Sequence, residues 1–210
     1  IVLALALHII GGKRFKKFMQ SLTYAPYFIS TVVMVGIILQ CFHLNIGIVN
    51  NLLALVGLDR VDFMGRASYF RHIYVWSGVW QTTGYAAVIY IAALGNVDQS
   101  LVEASLIDGA NCLQRIKIVE LPALKPIITI QLIMAIGSIM GVGFEKVFLM
   151  QSPLNLSVSE IISTYVYKRG LKDMQYSFAT AVGLFNSVVN FILLFLANKI
   201  SQKFGETSLW

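Results

Sequence analysis

Ser100, Glu103, Asp108 and Gly109 form the most ordered polar pattern in this 210-residue chain, and their spacing suits docking rather than bond-breaking. Ser100 followed three residues later by Glu103 has the form of a capping box, in which each side chain satisfies a free amide at a helix start. Asp108-Gly109 ends that helix with a residue able to adopt positive φ. A second amphipathic stretch, 111–119, sets Leu113, Ile116 and Val119 along one stripe. Leu121-Pro122 is expected to stop it, and Pro126 suits the first turn of the next helix. Segment 98–126 therefore reads as short helix, tight turn, second short helix and kink. Such a rigid element fits against a partner; the competing reading is a solvated loop with incidental helix signals.

The other reactive residue types carry less. His8, His43 and His72 are isolated and offer no metal-ligand spacing. No nucleophile is paired with a base, so neither catalysis, a metal site nor a cofactor is expected. The sequence has no GxxxxGK[ST] phosphate loop, so nucleotide hydrolysis through such a loop is not expected of this chain. Gln81 and Tyr85 are four residues apart and share a helix face, as do Asn186 and Asn190. Polar side chains in a membrane helix either bond neighbouring helices or line a wet pathway, and both readings stand for these four. Trp76 and Trp80 suit an interfacial aromatic belt or a surface on which a sugar stacks. Glu145 beside Lys146 is expected to be solvated or paired at the interface.

The elements that must position these residues lie in lipid. Apolar residues make up 57% of the chain and charged residues 12%, about half the charged share of a typical soluble domain. No Asp, Glu, Lys or Arg occurs in 18–58, 73–97, 127–144 or 174–198. A membrane-crossing helix needs about 20 residues, and each run is long enough. The expected architecture is an all-α polytopic membrane protein with full spans near 24–43, 74–95, 127–147 and 176–198. A partial span at 1–12 reads as the second half of a helix whose beginning is missing. The Gly137/Gly141 and Ala179/Gly183 spacings permit close helix approach. Lys13, Arg14, Lys16 and Lys17 follow the partial span and assign that loop to the cytoplasm. Alternation then puts 45–72 and 145–175 outside, and 98–126 and the tail 199–210 inside. Cys41 and Cys112 fall on opposite sides, which argues against an internal disulfide. The net charge of +6 is ordinary for a membrane protein and gives no argument for nucleic-acid binding.

Glu103-Ala104-Ser105, Asp108-Gly109-Ala110, Val119 and Leu121-Pro122 resemble the EAA loop of binding-protein-dependent ABC importer permeases. That pattern runs Glu-Ala-Ala, three residues, Gly, nine residues, Ile, one residue, Leu-Pro. The spacing is intact here, with Ser105 in place of the second Ala and Val119 in place of Ile. Tyr24 to Ser30 (YAPYFIS), Gly47 to Asn50 (GIVN), Tyr165 to Gly170 (YVYKRG) and Gly205 to Trp210 (GETSLW) resemble the LplB-like branch of carbohydrate permeases.

The resemblance implies a coupling helix that seats on a separate cytoplasmic ABC ATPase. Gly109 would let the backbone turn closely there, and Glu103 would hold the loop by capping and polar contact. It also implies a cell-membrane location, a second permease subunit forming a heterodimeric pore, and an extracellular or periplasmic solute-binding protein meeting the outer loops. Its cargo would be a sugar or oligosaccharide. An amino acid, peptide or ion carried by the same fold remains the alternative. A membrane enzyme or scaffold would need a buried catalytic pair, and the sequence shows none.

Overall fold

The computed structural model describes residues 1–10, 12–203 and 208–209, and among them every regular element is helical. Most of the sequence's GETSLW ending lies outside the described residues. The helices are α1 (Val2–Ile9), α2 (Lys13–Tyr24), α3 (Thr31–Cys41), α4 (Ile48–Leu55), α5 (Ala67–Leu94) and α6 (Gln99–Ile107). They continue with α7 (Cys112–Arg115), α8 (Leu121–Gly137), α9 (Phe144–Met150), α10 (Leu156–Ser159), α11 (Ile162–Tyr167) and α12 (Tyr176–Lys203). By length and hydropathy, Cys112–Gly137 and Tyr176–Lys203 can each cross a membrane. The bent pairs Lys13–Phe28 with Thr31–Cys41 and Ala67–Leu94 with Gln99–Ile107 raise the number to four if each is one span.

Two of the expected spans do not fold as single helices. Run 24–43 is broken by a 3₁₀ turn at Ala25–Phe28, after which Ser30 starts a fresh helix by accepting the Val33 N–H at 3.3 Å. Run 127–147 contains the end of α8 at Gly137 and the start of α9 at Phe144. Ser138 closes α8 by turning its hydroxyl back to the Met134 and Ala135 carbonyls, both at 3.2 Å. The physical reason is that an absence of charge records solubility in lipid, whereas helix continuity depends on the backbone. Glycines at 137, 141 and 143 and a local hydroxyl offer the backbone an alternative there.

The chain divides into two compact units. The first comprises Ile1–Pro26, Thr82–Met140 and Val188–Trp210. Its buried apolar residues include Ala4, Leu7, Ala87, Leu94, Leu124 and Ile133. Two glycines allow close approach within it. A Cβ on Gly84 of α5 would lie 1.9 Å from the Thr23 carbonyl oxygen at the end of α2, and one on Gly137 would lie 2.4 Å from Leu194. Asn198, 1% exposed, accepts the Leu209 N–H at 2.8 Å and ties the described tail residues to α12.

The second unit comprises Tyr27–Gln81 and Gly141–Ser187. Its core joins Met34, Val35 and Ile38 of α3 to Phe70 and Ile73 of α5 and Met150 of α9. Two wholly buried asparagines order the long connections. Asn50 donates to the His43 and Val61 carbonyls and accepts the Val61 N–H at 2.8 Å. Asn155 donates to the Met64 and Met150 carbonyls and accepts from the Ser152 N–H and the Ser159 hydroxyl. Buried backbone groups need such partners wherever helix ladders end. Gly47 is required because a Cβ there would come within 2.4 Å of the His43 oxygen. Gly170 lies in a π-helical segment (Lys168–Lys172), where a Cβ would meet that of Ala179 at 2.5 Å. The glycines of the GIVN and YVYKRG stretches are thus sites of close packing.

Candidate functional site

Segment 98–126 lies wholly in the first unit and begins at a cap two residues before the one its pattern suggests. Asp98, not Ser100, is the N-cap of α6, and its Oδ1 accepts the Ser100 N–H at 2.9 Å. Asp and Ser cap equally well, so a sequence carrying both two residues apart leaves the choice to the path by which the chain leaves α5. The turn between α5 and α6 bends the chain by 80°, and it is Asp98 that reaches the free amide. The hydrogen bonds from Ser100 hold the Asp98 carboxyl below its ordinary 3.8. A lowered carboxyl value means that the cap stabilises above 3.8 and is lost as pH falls through the lowered value. Asp98→Ala should therefore speed amide exchange at residues 100–102 at neutral pH. The difference from wild type should vanish as the solution is acidified through that value.

The far end of α6 follows the expected pattern. Gly109 takes φ 76°, its N–H donates to the Leu106 carbonyl, and the Ala110 N–H donates to that of Ser105 at 3.0 Å. These two bonds around a left-handed residue make a Schellman motif. Ser105 is buried at 8% exposure and bonds the Val102 carbonyl, which explains a small residue there. Glu103, Ala104, Asp108 and Gly109 are exposed, and Ala110 is half-buried. Leu106, Ile107 and Leu113 are exposed beside them, Ile107 at 86%. Apolar side chains left uncovered around a rigid turn mark a surface for another protein or for lipid. Of these three, the sequence pattern singles out Leu113 alone, on the stripe with Ile116 and Val119.

The reciprocal capping box exists one helix later than expected. Asn111 accepts the Gln114 N–H at 2.9 Å, and the Gln114 side chain accepts the Asn111 N–H at 2.8 Å. The expected stop at Leu121-Pro122 is also absent, because Cys112–Gly137 is continuous. A π-helical segment, Ile116–Glu120, precedes the proline, with the Leu121 N–H reaching back to the Ile116 carbonyl. The missing proline N–H falls where the ladder is already offset, so the helix survives it. Val119 and Glu120 are buried within this segment, while Leu121 and Pro122 are exposed. Arg115 Nε meets Glu120 Oε1 at 2.8 Å across the π turn, and Glu120 is 1% exposed.

The four polar positions of the spans behave differently from one another. In the second unit, the Gln81 amide donates to the Ile29 carbonyl at 2.9 Å, at the break before α3. In the first, the Asn190 oxygen accepts the Met140 N–H at 3.4 Å, at the break after α8. Both amides thus hold non-helical backbone. Tyr85 is 47% exposed. The Asn186 oxygen is buried without a hydrogen-bond partner, beside a hollow of about 400 Å³ lined by Phe144, Tyr167, Tyr176 and Thr180 among others. Trp76 and Trp80 are both more than half exposed, and Glu145 is exposed. Lys146 does not face solvent alone: its ammonium donates to the Tyr74 carbonyl at 2.9 Å and sits over the Tyr74 ring. Among the described residues no group of three or more His, Cys, Asp or Glu could hold a metal.

This geometry has close counterparts. The chain is 39% identical, over all 210 residues, to the polygalacturonan/rhamnogalacturonan transport system permease protein YteP of Bacillus subtilis (strain 168), covering 65% of that protein. It is equally similar to Protein LplB of the same organism, covering 66% of it. The chain therefore spans just under two thirds of the length of these relatives. A chain in the crystal structure of a bacterial alginate ABC transporter, in complex with an alginate pentasaccharide-bound periplasmic protein, superposes with a TM-score of 0.96 at 36% identity. That match covers 99% of this chain and 72% of the other. Residues 1–206 match the family described as binding-protein-dependent transport system inner membrane component, and the chain belongs to that family.

Proposed function

We propose that this chain is a permease subunit of an ATP-driven importer that moves sugars or oligosaccharides across the cytoplasmic membrane. A separate cytoplasmic ATPase docks on 98–126, a second permease subunit completes the pore, and a solute-binding protein delivers cargo from outside. The observation that carries the coupling role is the rigid tip of α6. Glu103, Ala104, Asp108 and Gly109 are exposed there on a turn locked by a Schellman motif, beside the uncovered Leu106, Ile107 and Leu113. An ATPase cleft closing on that tip would transmit its movement through α7 and the π turn into α8 as a rigid body.

The carbohydrate cargo is supported by the similar proteins, of which YteP is a polygalacturonan/rhamnogalacturonan transport permease and the structural counterpart belongs to an alginate transporter. The hydrogen bonds by which Gln81 and Asn190 hold the breaks at Ile29 and at 138–143 give these two side chains a packing role. Irregular backbone at membrane depth is tolerated where it is packed in protein or faces water. The reconstituted importer tests the reading. Glu103→Lys should release the ATPase on purification and abolish oligosaccharide-stimulated ATP hydrolysis, while the permease still folds. Undiminished co-purification and stimulation would remove 98–126 as the coupling element. Stimulation by amino acids or peptides in place of oligosaccharides would reassign the cargo.

A further inference from the structure

α2 carries two unlike edges that neither the docking tip nor the proposed pathway uses. The chain leaves the apolar α1 and turns at Gly12, where φ is 86°, directly into the sequence KRFKKFMQSLTY. Phe15, Phe18 and Leu22 recur at helical spacing along one edge and are 53%, 61% and 58% exposed. Lys13, Arg14 and Lys17 are exposed on another edge. With the half-buried Lys16 and Gln20 they line a groove of about 320 Å³. α2 contains no acidic residue, and no carboxylate pairs with these four cations among the described residues. The side packed on the rest of the unit is a third one, formed by Met19, Gln20, Thr23 and Tyr24, with the Thr23 carbonyl against Gly84.

We propose that α2 is a binding site for anionic phospholipid. Lys13, Arg14 and Lys17, assisted by Lys16, hold the headgroup phosphate, and Phe15, Phe18 and Leu22 lie along the acyl chains. Charge complementarity selects the occupant: four cations with no carboxylate paired to them among the described residues call for an anion, and the adjoining apolar edge calls for hydrocarbon. A phospholipid at the membrane boundary supplies both on one molecule. The helix stands at that boundary because it starts where the apolar α1 ends, in a chain whose family is an inner membrane component. The proposal rests on this membrane placement and is independent of the cargo and of the coupling role of 98–126.

The test uses the full-length importer, purified in detergent and equilibrated with equal amounts of phosphatidylglycerol and phosphatidylcholine. The lipid retained after gel filtration is counted by mass spectrometry. Wild type should retain phosphatidylglycerol several-fold over phosphatidylcholine, and that excess should fall as sodium chloride rises. The combined Lys13→Gln, Arg14→Gln, Lys17→Gln variant should lose the excess and retain the two lipids about equally, and Lys13→Arg with Lys17→Arg should keep it. Because neutralisation could disturb membrane topology, the salt series on unaltered protein decides the matter independently. Equal retention of the two lipids overturns the proposal, as does a salt-insensitive excess or an excess surviving neutralisation. Displacement by millimolar inorganic phosphate would show a free-anion site instead. Loss of the ATPase from the neutralised variant with phosphatidylglycerol retention unchanged would make α2 a protein contact.

Discussion

Gly84→Ala should be among the most damaging single-methyl changes in the chain, lowering stability by about 3 kcal/mol. The new Cβ would sit 1.9 Å from the Thr23 carbonyl oxygen and 2.5 Å from its carbon, and both are backbone atoms with no rotamer to escape into. α2 would have to move away from α5, carrying its cationic edge with it. Gly183→Ala is the control, because nothing lies within 4 Å of its added carbon. There the substitution should be neutral, or stabilising by up to about 1 kcal/mol through helix propensity. Thermal unfolding of the purified protein in detergent separates the two. Equal melting temperatures for Gly84→Ala and wild type would mean that α2 does not pack against α5 in this way.

The second large effect concerns the pair that spans the π turn. Glu120 is 1% exposed and Arg115 19%, so the two partners are not equivalent. Arg115→Met leaves a buried carboxylate without its cation and should cost about 3–5 kcal/mol, the usual cost of breaking a buried pair from one side. Glu120→Gln should cost less, because Arg115 retains a path to solvent and the amide can still accept its bond. Replacing both by methionine should recover most of the loss, since an apolar pair of similar volume avoids the desolvation penalty. A double-mutant cycle in detergent measures the coupling directly. Additive single effects would show that the bond across Ile116–Glu120 contributes nothing to holding the docking segment on α8.

The end of α6 is legible in the sequence because its determinants are local. Gly109 stops α6 in a left-handed conformation, and a glycine after a helical run carries that information in its own backbone freedom. The cap was misassigned because Asp98 and Ser100 are chemically interchangeable as caps, and only the exit path from α5 distinguishes them. Leu121-Pro122 promised a stop that the π turn removes, since a proline signal assumes an unshifted ladder. Gln81 and Asn190 could have been either pathway or packing residues. Their bonds to the Ile29 carbonyl and the Met140 N–H come from residues far away in sequence. Asn155 carried no sequence signal, and Asn50 stood out only as the last residue of GIVN, although both organise the long connections of the second unit.

Residue types and spacing alone were enough for the membrane class, the all-helical architecture and the turn at Gly109. Each depends on composition or on neighbours within a few turns, where transfer free energy and backbone preference act without reference to the rest of the fold. Tertiary packing decided which glycine admits no methyl group, which amide closes which broken helix, and which carboxylate is buried. Gly84 and Gly183 look alike in sequence, yet one faces a carbonyl and the other open space. Long-range contacts of this kind are a property of the folded chain, and no local pattern encodes the distance that makes them matter.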